Sequence, residues 1–176
     1  MSYSSDRALA VDREAQSSRF KVWIFILVPI LAILFQVYVP LFFRFLSFLE
    51  LPLLVTIYFA LMRQSQIRGL FLGAAVGLAQ DSLSKNPLGI LGICKTLVGY
   101  FAASMGLRID VEQPFVRLLL TFLLFAFHEF LKWVLDRALL AQTYPFDWRE
   151  TAVLAALNSV VGVFLYHFLD RLREDR

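Results

Sequence analysis

Six side chains able to do chemistry stand in the most apolar part of this sequence: Glu50, Asp81, Lys95, His128, Glu129 and Asn158. Carboxylates beside a lysine can form ion pairs, relay protons or line a ligand cavity. His128-Glu129 opens like the helix of a zinc protease, but the residue four steps on is Lys132, so the second ligand is missing. No phosphate-cradling G-x-x-x-x-G-K-[ST] run occurs, and no G-x-S-x-G nucleophile elbow. Asp81 and Asp110 have no carboxylate partners at metal-binding spacing, and Asp136, Asp147 and Glu150 gather near one loop, where acids are normally solvated. The expectation is therefore no catalytic residue, no metal and no cofactor.

The elements that must position these groups are written in the composition. Of 176 residues, 59% are hydrophobic and only 18% charged, with 18 Phe and a mean hydropathy of +0.68. A soluble domain is about 45–50% apolar and about 25% charged. The excess falls in long runs, as in a membrane protein. Net charge is +3 with the arginines scattered, so no nucleic-acid footprint is present. Cys94, the single cysteine, lies in an apolar run and reads as a small packing residue.

The sequence predicts an all-α, polytopic six-transmembrane-helix bundle over residues 20–170, between cytoplasmic tails at 1–19 and 171–176. The spans are Val22 to Phe43 with Pro29 inside, Phe45 to Met62, Ile67 to Leu83, Leu88 to Leu107, Phe115 to Leu135 and Thr151 to Leu169. With the N-terminus inside, the inner segments hold eleven basic residues and the outer segments five. That bias places both termini in the cytoplasm. Trp23 then marks the inner boundary, and Trp133 and Trp148 the outer one.

This topology gives each buried polar group a depth. Glu50 and Asp81 fall at outer helix ends, and Lys95 lies about 10 Å below the outer surface at 1.5 Å per residue. His128, Glu129 and Asn158 share that outer half, while the inner half holds little besides His167. Gly69, Gly73 and Gly77 form a small-residue stripe that Asp81 continues at the same four-step spacing. Gly92, Lys95, Gly99 and Gly106 do the same on the next helix. Such stripes let helices approach closely, so both charges point into the bundle, where Asp81, Glu50 and Glu129 are the acids open to Lys95. Asn86-Pro87 reads as an N-cap followed by proline at the first helical position. A packing network, a lined ligand cavity and a proton relay all fit this cluster.

The run from Pro52 to Ile109 resembles the rod shape-determining protein MreD family. The resemblance rests on the basic turn at Arg63 and Arg68, the glycine-rich helix ending in Asp81, Pro87-Leu88-Gly89, and Leu97-Val98-Gly99-Tyr100. It implies a non-catalytic component of the bacterial inner membrane in the cell-elongation machinery. The implied partners are membrane lipids and MreC, and indirectly MreB filaments, RodA and a class B penicillin-binding protein of peptidoglycan synthesis. The family fold is similar to the substrate-binding S subunits of energy-coupling-factor transporters, which makes such a subunit the alternative reading.

Overall fold

A computed structural model describes residues 22–63, 65–84 and 89–172. Within them the chain forms six α-helices: α1 (Val22–Tyr38), α2 (Leu51–Arg63), α3 (Gln66–Leu83), α4 (Ile90–Gly106), α5 (Pro114–Leu140) and α6 (Trp148–Asp170). No strand occurs among the described residues. The tails at 1–19 and 173–176 lie outside them, as do Asn86 and Pro87; the expected Asn86-Pro87 cap is corrected, since α4 takes Gly89 as its N-cap and begins at Ile90.

α2 is the hub. Every residue from Pro52 to Met62 is buried, as befits a helix apolar on all sides, and α2 packs against each of the other five helices. α3 and α4 form the most extensive pair, and α5 and α6 the next. Asp147 caps α6 by accepting from the backbone N–H groups of Arg149 and Glu150 at 2.9 and 3.1 Å.

The surface is inverted relative to a soluble protein. Phe115, Phe164 and Val153 are 74%, 73% and 68% exposed, whereas the Lys95 side chain is fully buried. Apolar groups outside and charges inside are what a lipid solvent requires. Four segments are long and apolar enough to cross a membrane: Trp23–Leu41, Arg44–Arg63, Pro114–Leu140 and Trp148–Asp170. The other two helices, α3 and α4, are shorter than these segments. At 18 and 17 residues, α3 and α4 span about 27 and 25 Å, short of a hydrocarbon core of about 30 Å.

Three further expected boundaries are corrected. α1 ends at Tyr38 rather than Phe43, and a 3₁₀ turn over Val39–Leu41 follows it. Phe45 to Met62 is not one continuous helix: a 3₁₀ turn covers Arg44–Phe48, the chain is extended at Leu49, and α2 begins at Leu51. Pro52 is the cause, because a proline inside a helix lacks the N–H donor and its ring clashes with the carbonyl one turn back, so it is tolerated only in a first turn. α5 runs to Leu140 rather than Leu135, so Glu129 sits mid-helix. The extra turn, DRALL, holds good helix formers that hydropathy alone undervalues.

Candidate functional site

Starting α2 at Leu51 leaves its first backbone N–H groups without intrahelical acceptors. Two amide side chains from other helices supply them. Asn158 Oδ1 of α6 accepts from Glu50 N–H at 2.9 Å, and Gln36 Oε1 of α1 accepts from Leu51 N–H at 3.4 Å. Asn158 Nδ2 also donates to the carbonyls of Phe48 and Leu154, at 2.8 and 3.0 Å. Asn158, wholly buried, thereby fixes the chain at Glu50.

So held, the Glu50 side chain meets Lys95. Lys95 Nζ donates to Glu50 Oε2 at 3.3 Å, and it also donates to Gln80 Oε1. Lys95 is 0% exposed and Glu50 17%. The ion pair therefore joins α4 to the start of α2, with Gln80 of α3 completing the lysine's shell. Asp81 is not its direct partner. Its carboxylate accepts from the backbone N–H groups of Gly89, Leu91 and Gly92, at 2.9, 3.4 and 3.0 Å. It is a cap for α4 delivered from α3, and its negative charge sits at the positive end of that helix's dipole.

His128 and Glu129 stand on α5. His128 Nδ1 lies 3.3 Å from Glu129 Oε1, while His128 Nε2 is buried without a hydrogen-bond partner among the described residues. Glu129 and Lys132 reach a space of about 240 Å³, walled by Trp133, Tyr144, Phe146 and Glu150. Tyr144, at its rim, donates to Asp136 Oδ2 at 2.7 Å. Partial burial and that bond push its phenol up to about 12. Among the described residues no three His, Cys, Asp or Glu side chains gather as a metal site would need.

The glycines hold the frame. A Cβ on Gly73 would strike the Lys95 carbonyl, one on Gly69 the Gly99 carbonyl, and one on Gly99 the Gly69 carbonyl. On Gly77 it would lie 2.7 Å from Gly92 Cα, and on Gly106 it would strike the Leu61 carbonyl of α2. These are backbone atoms and cannot yield. Gly92 differs, since its neighbour is the flexible end of Leu78. The stripe thus brings α3 against α4 at the height of Lys95.

The opposite end of the bundle is not empty, contrary to the expectation that it held little besides His167. Arg117 pairs with Asp170 at 2.5 Å and donates from Nε to the Val111 carbonyl at 2.6 Å. Tyr58 donates to the other Asp170 oxygen at 2.8 Å, and Tyr166 lies 3.0 Å from Thr121 Oγ1. This cluster ties α2, α5 and α6. Arg117→Gln should lower unfolding free energy by about 2 kcal/mol, the range of a charged hydrogen bond. Asp170 is 29% exposed, which keeps the loss below that of a fully buried pair. Chemical unfolding in detergent micelles measures it.

The match that decides kinship covers this whole assembly. The model of the rod shape-determining protein MreD family matches residues 17–172. The chain belongs to the MreD family. No curated protein and no solved structure gives a match. Membership implies a role in rod-shape determination, and it makes this MreD-family chain a shape-determining membrane component rather than a member of an enzyme family. In the MreD resemblance Asp81 and Pro87-Leu88-Gly89 are separate motif pieces. The Gly89 N–H bonds directly to Asp81, and Gly89 has φ +101°, a backbone conformation that suits glycine. Pro87 and Leu88 lie outside the described residues. Gly99 is the contact for Gly69, and its neighbour Tyr100 packs edge-on against Phe101, 5.6 Å between centroids.

Proposed function

We propose that this MreD-family protein is a non-catalytic component of the elongation machinery, sitting in the bacterial inner membrane and binding MreC. Through MreC it helps couple MreB filaments on the cytoplasmic side to peptidoglycan synthesis by RodA and a class B penicillin-binding protein. Family membership over residues 17–172 carries this reading. The internal chemistry supports it: Lys95, Glu50, Gln80, Asp81 and Asn158 spend their polar atoms on one another and on helix ends. Such a network fixes one arrangement of helices, as a scaffold needs. Lys95, His128, Glu129 and their partners act here as positioning groups for the face offered to MreC.

The test is depletion in the rod-shaped bacterium that encodes the chain. Cells should widen and round as the protein is lost, and re-expression should restore rods. Persistence of normal cell width through full depletion contradicts the proposal.

Both termini are proposed to be cytoplasmic, from the bias of basic residues. In a Cys94→Ala background, single cysteines at Ser84 and Gln142 should react with an impermeant maleimide added outside. Cysteines at Ser5 and Arg173 should react only after the membrane is opened. Labelling of Ser5→Cys in intact spheroplasts reverses the topology.

A further inference from the structure

α1 leans on α2 but touches α3 only sparsely. A lateral groove of about 430 Å³ remains between α1 and α3. Phe25, Ile30 and Ile33 line it from α1, and Phe71, Ala75 and Ala79 from α3. Its one charged lining residue is Arg68, near the start of α3. Arg68 is exposed and makes no ion pair or hydrogen bond among the described residues. The guanidinium of Arg63 lies 4.9 Å over the ring of Phe25, a groove residue. Two cations therefore stand at one mouth of an otherwise apolar slot.

The dimensions identify the occupant. From Arg68 to Ala79 is about 16 Å along α3 at 1.5 Å per residue. That is close to half of a hydrocarbon core of about 30 Å. A slot that starts at a cationic mouth and ends near mid-membrane has the depth of one leaflet. A partner helix would run the full thickness and is about 10 Å across; a single slender chain fits the slot better. We propose that this groove binds one anionic glycerophospholipid, with an acyl chain between α1 and α3 and the phosphate against Arg68, close to Arg63. Guanidinium suits phosphate through paired N–H donors. The site stands apart from the MreC reading and needs only that the bundle lie in a bilayer.

Native mass spectrometry of protein released from nanodiscs with equal phosphatidylglycerol and phosphatidylethanolamine tests it. The wild-type chain should retain one phosphatidylglycerol in preference. Arg68→Gln should weaken that preference about tenfold, the loss expected from one charge-assisted contact. Ala75→Trp, which fills the slot from an exposed position, should remove the retained lipid. Val153→Trp, on the exposed face of α6, should keep it. Unchanged retention in Ala75→Trp, or an unchanged preference in Arg68→Gln, overturns the proposal. So does loss of a second copy or a protein partner from Ala75→Trp while the lipid stays.

Discussion

Lys95→Ala is expected to destabilise the bundle by about 3 kcal/mol, the low end for breaking a buried ion pair. Glu50 is left behind, but it is 17% exposed and can recover some hydration. Glu50→Ala should cost more, toward about 5 kcal/mol, because Lys95 would remain fully buried with Gln80 as its neutral partner. Glu50 and Lys95 are in contact, so the double variant should be milder than the sum by at least about 1 kcal/mol. Asp81→Ala should behave differently. It strips three N–H groups at the start of α4 of their acceptor, and its effect should nearly add to that of Lys95→Ala. Lys95→Met with Glu50→Gln should recover much of the loss, since buried pairs can be replaced without great cost. Unfolding free energies in micelles give the cycle. Additive effects for Lys95 and Glu50 with strong coupling of Lys95 to Asp81 would mean that the lysine has chosen the other acid.

Gly73→Leu should be more damaging still. Its Cβ alone would meet the Lys95 carbonyl, carbonyl carbon and the Thr96 Cα. Separating α3 from α4 to make room would also pull Gln80 from Lys95 and Asp81 from the N-terminus of α4. Overpacking alone costs about 1–3 kcal/mol, and loss of the polar contacts adds to it. The expected result is failure to accumulate as a folded monodisperse protein, measured by fluorescence-detected size exclusion. Gly92→Ala is the contrast, because the flexible Leu78 end can move; it should accumulate normally. Normal accumulation of Gly73→Leu would show that α3 and α4 do not meet along this line.

The contrast between those two predictions shows what the residues reveal unaided. The Gly69-Gly73-Gly77 stripe is readable because helical spacing alone puts the three on one face, and only a close helix explains three glycines there. Its partner stripe on α4 is readable for the same reason. The inward direction of Asp81 and Lys95 follows from their place on those stripes. Their partners do not follow. Backbone N–H groups exist at every residue, so nothing in the sequence marks Gly89, Leu91 and Gly92 as the acceptor's targets. Glu50 and Asp81 are expected at outer helix ends and Glu129 nearer the depth of Lys95, yet Lys95 pairs with Glu50, because the break before Leu51, where Pro52 sets the start of α2, brings Glu50 to it. Gln36 and Gln80 were overlooked because amides carry no charge, although an amide in an apolar helix also needs a partner. At the other end, Arg117 counted only toward topology and Tyr58 only toward hydropathy. Their meeting at Asp170 joins residues more than 50 positions apart, a relation that no local pattern encodes.

The central claim, that this MreD-family chain works by holding a protein partner, is met most directly by purifying it. The chain, tagged and expressed at its native level, should be extracted from its own membranes in a mild detergent and its companions identified. MreC should copurify in a fixed ratio, and should be lost from Gly73→Leu extracts but kept in those of Val153→Trp. Recovery of a transporter ATPase module or a tightly held vitamin in place of MreC would contradict the account.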